Sequence, residues 1–476
     1  MFWRGVVGYL PVNLVQLVAG FGSIWVFTRL LTPADYGDYA LGFSVSTLVQ
    51  SSLLVWNEAA MARFYAAERE GADRAALFAT VYRTFGVLAA VVPLVALAAM
   101  AAMPLSSGVR LALGAGVLAV VARSGLKLAQ ERRRAAGAVR GFAVFDMVQT
   151  GGGFLLGVGA VALGARGAGP LIGAGAASAV CLAFALPAEL RQARGGRFDR
   201  SRFARYAAYG LPVSLSLVMS LALATTDRFV LAGARDAATV GAYHAGYSLS
   251  NRTLDVLFIW LGMAGGPAAI AALETGGEAA LRKVARSQAE LMVLIALPAA
   301  TGLALVARPL ADLMVGPALR ADAARVTPWI AAGGLCAGLT TYYLHTAFTL
   351  ARRTRSLLVA WMLPAAINLG LTLWLIPRYG LDGAMWATTA SYAIGLVASF
   401  VLGRRHLKLP VPWTTLGRAA LASALMAGAL SLLPSPGGAL ELGVKATIGA
   451  LVYGAAVLVM NAGGVRGLLA RGGLAA

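Results

Sequence analysis

Runs of about twenty mostly apolar residues recur from one end of this chain to the other, and no other feature narrows its fold as far. At 1.5 Å per helical residue, each run is long enough to cross the ~30 Å hydrocarbon core of a bilayer. A transmembrane barrel would instead show segments of about ten residues with alternating polarity. Composition agrees, with 59% hydrophobic and 13% charged among the 476 residues, where a soluble domain carries roughly a quarter charged. The runs fall near 7–31, 39–60, 77–101, 109–129, 142–164, 168–190, 206–231, 239–262, 288–307, 328–350, 357–376, 383–403, 414–433 and 440–460. Gly and Pro inside them are tolerated, because neighbouring membrane helices satisfy the backbone groups they free. The first run is too long for a secretory signal and no small-residue cleavage site follows it, so it is expected to remain as a helix. The expected fold is all-α integral membrane, with about fourteen transmembrane helices.

The net charge of +20 is not gathered on a stripe or tail, as nucleic-acid binding would require, so no nucleic-acid partner is expected. It sits in short clusters between the apolar runs. One alternate set of connections holds Arg63, Arg69, Arg74, Arg132 to Arg134, Arg140, the six arginines of 191–205, Arg282, Lys283, Arg286, Arg352, Arg353, Arg355, Arg404, Arg405 and Lys408. With Arg4, Arg466 and Arg471 that is about 25 cations, and the opposite set carries about six. The bias predicts a multi-pass membrane protein with both termini in the cytoplasm. Within the cytoplasmic set, 264–287 reads as a short amphipathic helix.

The chain also writes one stretch twice. Gly37 to Ser46 is GDYALGFSVS and Gly241 to Ser250 is GAYHAGYSLS. Leu10-Pro11-Val12 and Arg29 precede the first copy, as Leu211-Pro212-Val213 and Arg228 precede the second. This is the signature of a transporter built from two packed halves. It divides the chain into a bundle over 1–190, a basic linker over 191–205, a second bundle over 206–405 and an appended helical hairpin over 406–476. The two six-helix bundles are expected to be pseudo-symmetric. Pro11 and Pro212, at matching places, each remove a backbone hydrogen bond and should bend their helices.

No catalytic constellation stands out. His244, His345 and His406 lie far apart without a surrounding pattern of Cys or carboxylates, so neither a metal nor another cofactor is implied. Cys181 and Cys336 both fall in apolar runs and imply no disulfide. Gly151-Gly152-Gly153 follows no strand, so close helix packing accounts for it better than a nucleotide loop. The connection over 307–327 is too short for an external catalytic domain, and the protein is not expected to be an enzyme. Charges inside the apolar runs are costly and therefore point to function. Arg252 and Asp255 are the most central, and their spacing puts them on one helix face where they can pair. Arg83, Arg123 and Asp146 lie a turn or two inside their runs, where snorkelling and cavity lining compete. Arg29, Asp227 and Arg228 mark the outer ends of the first and seventh runs, as anchor or gate. Guanidinium groups suit a phosphate-bearing anion, which they hold bidentately.

The run from Thr28 to Tyr39 (TRLLTPADYGDY) closely resembles the first external turn of the polysaccharide transporter family, part of the multidrug/oligosaccharidyl-lipid/polysaccharide exporter superfamily. Thr226 to Leu231, Val240 to Tyr243, and Ile376 to Ala384 (IPRYGLDGA) resemble the same family. The resemblance implies a flippase that carries a polyprenyl-pyrophosphate-linked oligosaccharide across the inner membrane by alternating access of two bundles, for surface polysaccharide biosynthesis. Arg252, Asp255, Arg123 and Arg83 are then candidates for the substrate cavity, and Arg29, Asp227 and Arg228 for the external gate. Its partners would be the lipid-linked oligosaccharide, membrane lipids, and a polysaccharide polymerase with other assembly proteins. A lipid II flippase and a drug/cation antiporter of the same fold are the alternatives; the antiporter would favour acids over arginines in the membrane.

Overall fold

The computed structural model describes residues 2–351 and 353–470; Arg352 and Arg471 of the basic clusters, and the side chain of Arg4, lie outside the described residues. The helices are α1 (Phe2–Leu30), α2 (Pro33–Val49), α3 (Val55–Phe64), α4 (Ala72–Ala102), α5 (Ser107–Ala135), α6 (Val139–Ala162), α7 (Gly169–Gln192) and α8 (Arg200–Ala234). They continue as α9 (Ala237–Leu305), α10 (Ala307–Met314), α11 (Pro317–Leu339), α12 (His345–Leu350), α13 (Thr354–Tyr379), α14 (Leu381–Arg404), α15 (Trp413–Ser431), α16 (Gly438–Val459) and α17 (Val465–Ala470). No strand occurs among the described residues.

Every expected apolar run is helical over most of its length, and most of the helices extend past it at one or both ends. Among the described residues, eleven helical spans are long and apolar enough to cross a membrane. That number is not the expected fourteen, for identifiable reasons. The runs 239–262 and 288–307 both lie in the 69 residues of α9, which is broken only at Gly277 (φ 63°, ψ −160°). The runs 328–350 and 414–433 lie on α11–α12 and α15, which are not among the eleven. Two expectations need correcting. The stretch 264–287 is not a separate amphipathic helix, because its first part prolongs α9 and its second part, after Gly277, starts the return segment. The connection over 307–327 is not an open loop, since it folds as α10 and the first turns of α11.

Helix starts obey local chemistry. Thr32 accepts from the Asp35 N–H at 3.1 Å, with Pro33 in the first turn, and Ser106 accepts from the Val109 N–H at 3.3 Å. Asp199 accepts from the Ser201 N–H at 2.8 Å, and Asp236 from the Thr239 N–H at 2.7 Å. Each such cap contributes about 1 kcal/mol. α2 runs into α3, and α11 into α12, through single π-helical turns at Gln50–Leu54 and Thr340–Leu344.

The chain gathers into two compact units, Met1–Gly241 and Ala242–Ala476. In the first, α6 packs on α1 and α7, α5 on α2 and α7, and α3 on α8. In the second, α14 packs on α11 and α13, and the hairpin α15–α16 docks through α10 and through the Tyr453 hydroxyl, which donates to the Leu294 carbonyl at 2.8 Å. The polarity is that of a membrane protein. Leu94, Leu155, Phe184, Trp260 and Val459 are more than 60% exposed, while Asn57, Glu58, Glu189 and Asp227 are buried. Hydrocarbon is the solvent that suits such a surface.

Candidate functional site

The second unit carries the most central charge. Along α9, Leu254 and Phe258 face inward onto Ala296, Ala300, Leu303 and Ala331. Arg252, Asp255, Val256, Ile259 and Trp260 lie on the opposite, exposed face. Arg252 and Asp255 do share one face, as their spacing predicts. The pairing differs, because the Asp255 carboxylate accepts from the Asn251 side-chain amide one helical turn away. Among the described residues Arg252 forms no ion pair. A guanidinium presented outward in the middle of an apolar helix needs water or an anionic ligand to replace its hydration.

In the first unit, Arg83 and Arg123 are exposed on α4 and α5, each next to buried residues (Tyr82 and Ser124). Lys127, one turn beyond Arg123, is half-buried. Both Arg123 and Lys127 interact electrostatically with Glu58, a buried acid on α3 that accepts from the Ser124 hydroxyl and from the Gln50 amide at 3.4 Å. Asp146 is buried and accepts from the Gln16 amide at 2.8 Å, so it is packed and does not snorkel.

Arg29 and Arg228 hold the ends of α1 and α8. Arg29 donates to the Trp25 carbonyl at 2.8 Å and lies 4.6 Å over the Trp25 ring. Arg228 donates to the Ala224 carbonyl at 2.8 Å, is 4% exposed, and takes a contact from Asp227, whose carboxylate accepts the Arg228 N–H at 2.8 Å. Both arginines donate to a carbonyl four residues back; Arg29 does so in the last turn of α1, where a cation suits the helix C-terminus, and Arg228 does so inside α8. Pro11 and Pro212 lie inside α1 and α8, which continue through them.

Just beyond these ends, the two copies of the repeat begin with the same capping device, with its residues exchanged. Thr32 caps and Asp35 answers in the first; Asp236 caps and Thr239 answers in the second. Hydrogen bonds from the Thr239 N–H and then from its hydroxyl hold the Asp236 carboxyl below the usual range. The two starts touch reciprocally through glycine. A Cβ on Gly37 would lie 1.8 Å from the Ala237 carbonyl oxygen, and one on Gly241 2.4 Å from that of Pro33. No side chain fits at either position. Further along, the copies use their hydroxyls and glycines in parallel. Gly42 packs on Ala112 and Ser46 on Gly116 in the first unit; Gly246 packs on Ala323, and Ser250 donates to the Thr327 carbonyl at 2.7 Å, in the second.

The sequence reading passed over two acids and weighed one base only as a metal ligand. Glu58 sits one turn after the first π-turn, and His345 directly after the second, with its Nε2 3.2 Å from the Ser399 hydroxyl and its ring against Trp361. Glu189 is fully buried and held bidentately by Arg132, whose Nη2 donates to Oε1 at 2.7 Å and whose Nε donates to Oε2 at 3.2 Å. Each acid lies in the last turns of an apolar run, and that position was the available signal.

The sequence model for polysaccharide biosynthesis proteins matches residues 26–319, well over half of the chain. The chain belongs to that family. No curated protein matches it by sequence. Among solved structures it is similar to the lipid II flippase MurJ in an inward closed conformation, with TM-score 0.77 and 12% identity over 97% of this chain and 99% of that one. It is also similar to a multidrug resistance MATE family transporter of the MOP superfamily. The inward-facing form gives TM-score 0.65 and 16% identity over 83% of this chain and 94% of that one; the outward-facing form gives 0.52 and 16% over 84% and 93%. This polysaccharide biosynthesis protein is thus a multi-pass membrane protein with the exporter-superfamily fold.

Proposed function

We propose that the chain is a flippase of the bacterial inner membrane, with both termini cytoplasmic, that moves a polyprenyl-pyrophosphate-linked oligosaccharide by alternating access for surface polysaccharide synthesis. The observation that carries this reading is Arg252, a guanidinium on the exposed face of an apolar helix in a chain of the polysaccharide biosynthesis family. A pyrophosphate stripped of water needs such compensation, and bidentate guanidinium contacts supply it. Asp255 balances Arg252 when no anion is bound, and Arg83 and Arg123 have the same role in the first unit. Arg29, Asp227 and Arg228, at the ends of the proline-containing α1 and α8, belong to the external gate. Arg252 is also the feature that argues against a drug/cation antiporter, which would present an acid there. Lipid II, the cargo named for the similar MurJ structure, shares the pyrophosphate and differs in the sugar.

The test is cargo competition. The purified protein in proteoliposomes should translocate a polyprenyl-pyrophosphate oligosaccharide and be inhibited poorly by lipid II. Faster translocation of lipid II than of the oligosaccharide would move the assignment to the peptidoglycan precursor. Translocation of neither would remove the flippase reading.

A further inference from the structure

We propose that the second unit has a built site for the phosphate headgroup of an anionic phospholipid, where the return segment of α9, the end of α14 and the start of α15 meet. The site is an open cavity of about 420 Å³, within the range of small-ligand sites. Arg282, Arg404 and Lys408 supply its charge, and Phe400, Leu409 and Trp413 much of its apolar wall. These residues come from three different elements. Arg282 follows the Gly277 break, Arg404 ends α14, Lys408 lies in the 405–412 connection, and Trp413 opens α15.

The shape is fixed by packing. Leu409 and Phe400 rest on the cluster of Ala285, Ala289, Met292, Tyr343 and Leu344. The Tyr343 hydroxyl donates to the Pro410 carbonyl at 2.5 Å and so pins the connection that carries Lys408. The Arg404 guanidinium stands 5.2 Å from the Phe400 ring centre, a contact that positions it without neutralising it. Arg282 is paired with Glu278 at 3.0 Å. Arg404 and Lys408 have no carboxylate partner among the described residues, so three cations against one acid leave two positive charges at the cavity.

Two properties select a lipid over a free anion. First, helix ends from three elements meet here, and the exposed Trp413 (66%) stands at the start of a helix, where amphipathic rings mark the membrane–water boundary. Basic pockets between helices at this level receive phospholipid headgroups. Second, much of the wall is apolar, which suits glycerol and the first acyl carbons and offers nothing to inorganic phosphate. The site involves none of the residues assigned to cargo, so it stands whether or not the flippase reading does.

The experiment uses the full-length protein in detergent and measures binding of short-chain phosphatidylglycerol, phosphatidylcholine with the same chains, and inorganic pyrophosphate. Phosphatidylglycerol should bind about tenfold tighter than phosphatidylcholine, and inorganic pyrophosphate should not displace it. Arg404→Ala with Lys408→Ala should abolish that preference while leaving phosphatidylcholine binding and the unfolding temperature unchanged. The charge-preserving pair Arg404→Lys with Lys408→Arg should retain it, and so should Arg405→Ala, outside the cavity. Equal binding of the two lipids, an unchanged preference in the alanine pair, or displacement by pyrophosphate would overturn the assignment. If the alanine pair fails to fold, Arg282→Ala alone should lower the preference, and no change there would count equally against the site.

Discussion

Two sets of intramembrane charges, one in each unit, are handled in opposite ways. In the first, Glu58, Asp146, Glu189, Asp227 and Arg228 are all buried, and each has a hydrogen-bonding partner. In the second, Arg252 and Asp255 stand on the exposed face of α9, and only Asp255 is engaged, by Asn251. A buried and partnered charge orients helices; an outward charge within an apolar segment is available to a ligand. The lesson is that a charge in an apolar run is a weak guide to function until its burial is known. Among the charges singled out in the sequence, Asp146 and Arg228 are buried and partnered, and Arg252 is exposed.

The largest effect should come from breaking a scaffold pair. Arg132→Ala strands the fully buried Glu189 carboxylate and should cost about 3–5 kcal/mol, read as a drop in unfolding temperature and folded yield. Replacing both residues with apolar ones of similar volume should recover most of it. A single variant as stable as wild type would mean that the pair does not hold α5 to α7.

The next effect tests the equivalence of the repeats. Gly42→Ala would put a Cβ 2.7 Å from Leu171 Cδ1 and 2.9 Å from the Ala112 oxygen; Gly246→Ala would put one 2.6 Å from Val326 Cβ and 2.8 Å from the Ala323 oxygen. Each should lose about 1–3 kcal/mol through overpacking. Thermal unfolding of the two variants should give similar shifts, and a shift in only one would separate the repeats. Four residues on, the copies diverge. Ser250→Ala removes an interhelical hydrogen bond to the Thr327 carbonyl and should cost about 1 kcal/mol, whereas Ser46 donates only to Gly42 of its own helix, so Ser46→Ala should be near neutral. Equal losses would contradict that distinction.

The smallest effect separates the two caps by pH. Asp236 has a depressed carboxyl in the folded chain, so its stabilisation is complete above the unfolded value of about 4 and is lost as pH falls through the lower folded value. Thr32 has a hydroxyl as its capping group, and that does not titrate. Hydrogen exchange at the start of α9 should therefore accelerate on acidification below about pH 4 more than at the start of α2. The same acceleration at both would place the acid sensitivity elsewhere.

The fold was legible because its strongest signals are local. A twenty-residue apolar run, a Thr or Asp cap and the G-x-Y-x-x-G-(F/Y)-S-x-S repeat each specify structure within a few turns of chain. The count of spans was less legible, because α9 continues past the membrane-length limit and breaks only at Gly277, a residue that looks like any other glycine of this chain. The site was legible in residue type only. Sequence spacing placed Arg252 and Asp255 on one face but could not reveal that Asn251 would take the Asp255 carboxylate, since all three lie within one turn and rotamers decide the pairing. Glu58 and Glu189 were lost at the ends of apolar runs, where an acid normally reaches water; their burial depends on Ser124 and Arg132, both far away in sequence.

The central claim is that Arg252 is the charge that meets the cargo, and the direct measurement is translocation of a polyprenyl-pyrophosphate oligosaccharide by purified variants in proteoliposomes. Arg252→Ala should insert at normal levels and lose translocation, Arg252→Lys should retain part of it because the charge remains without the bidentate geometry, and the exposed loop variant Arg194→Ala should match wild type. Full translocation by Arg252→Ala would contradict the account.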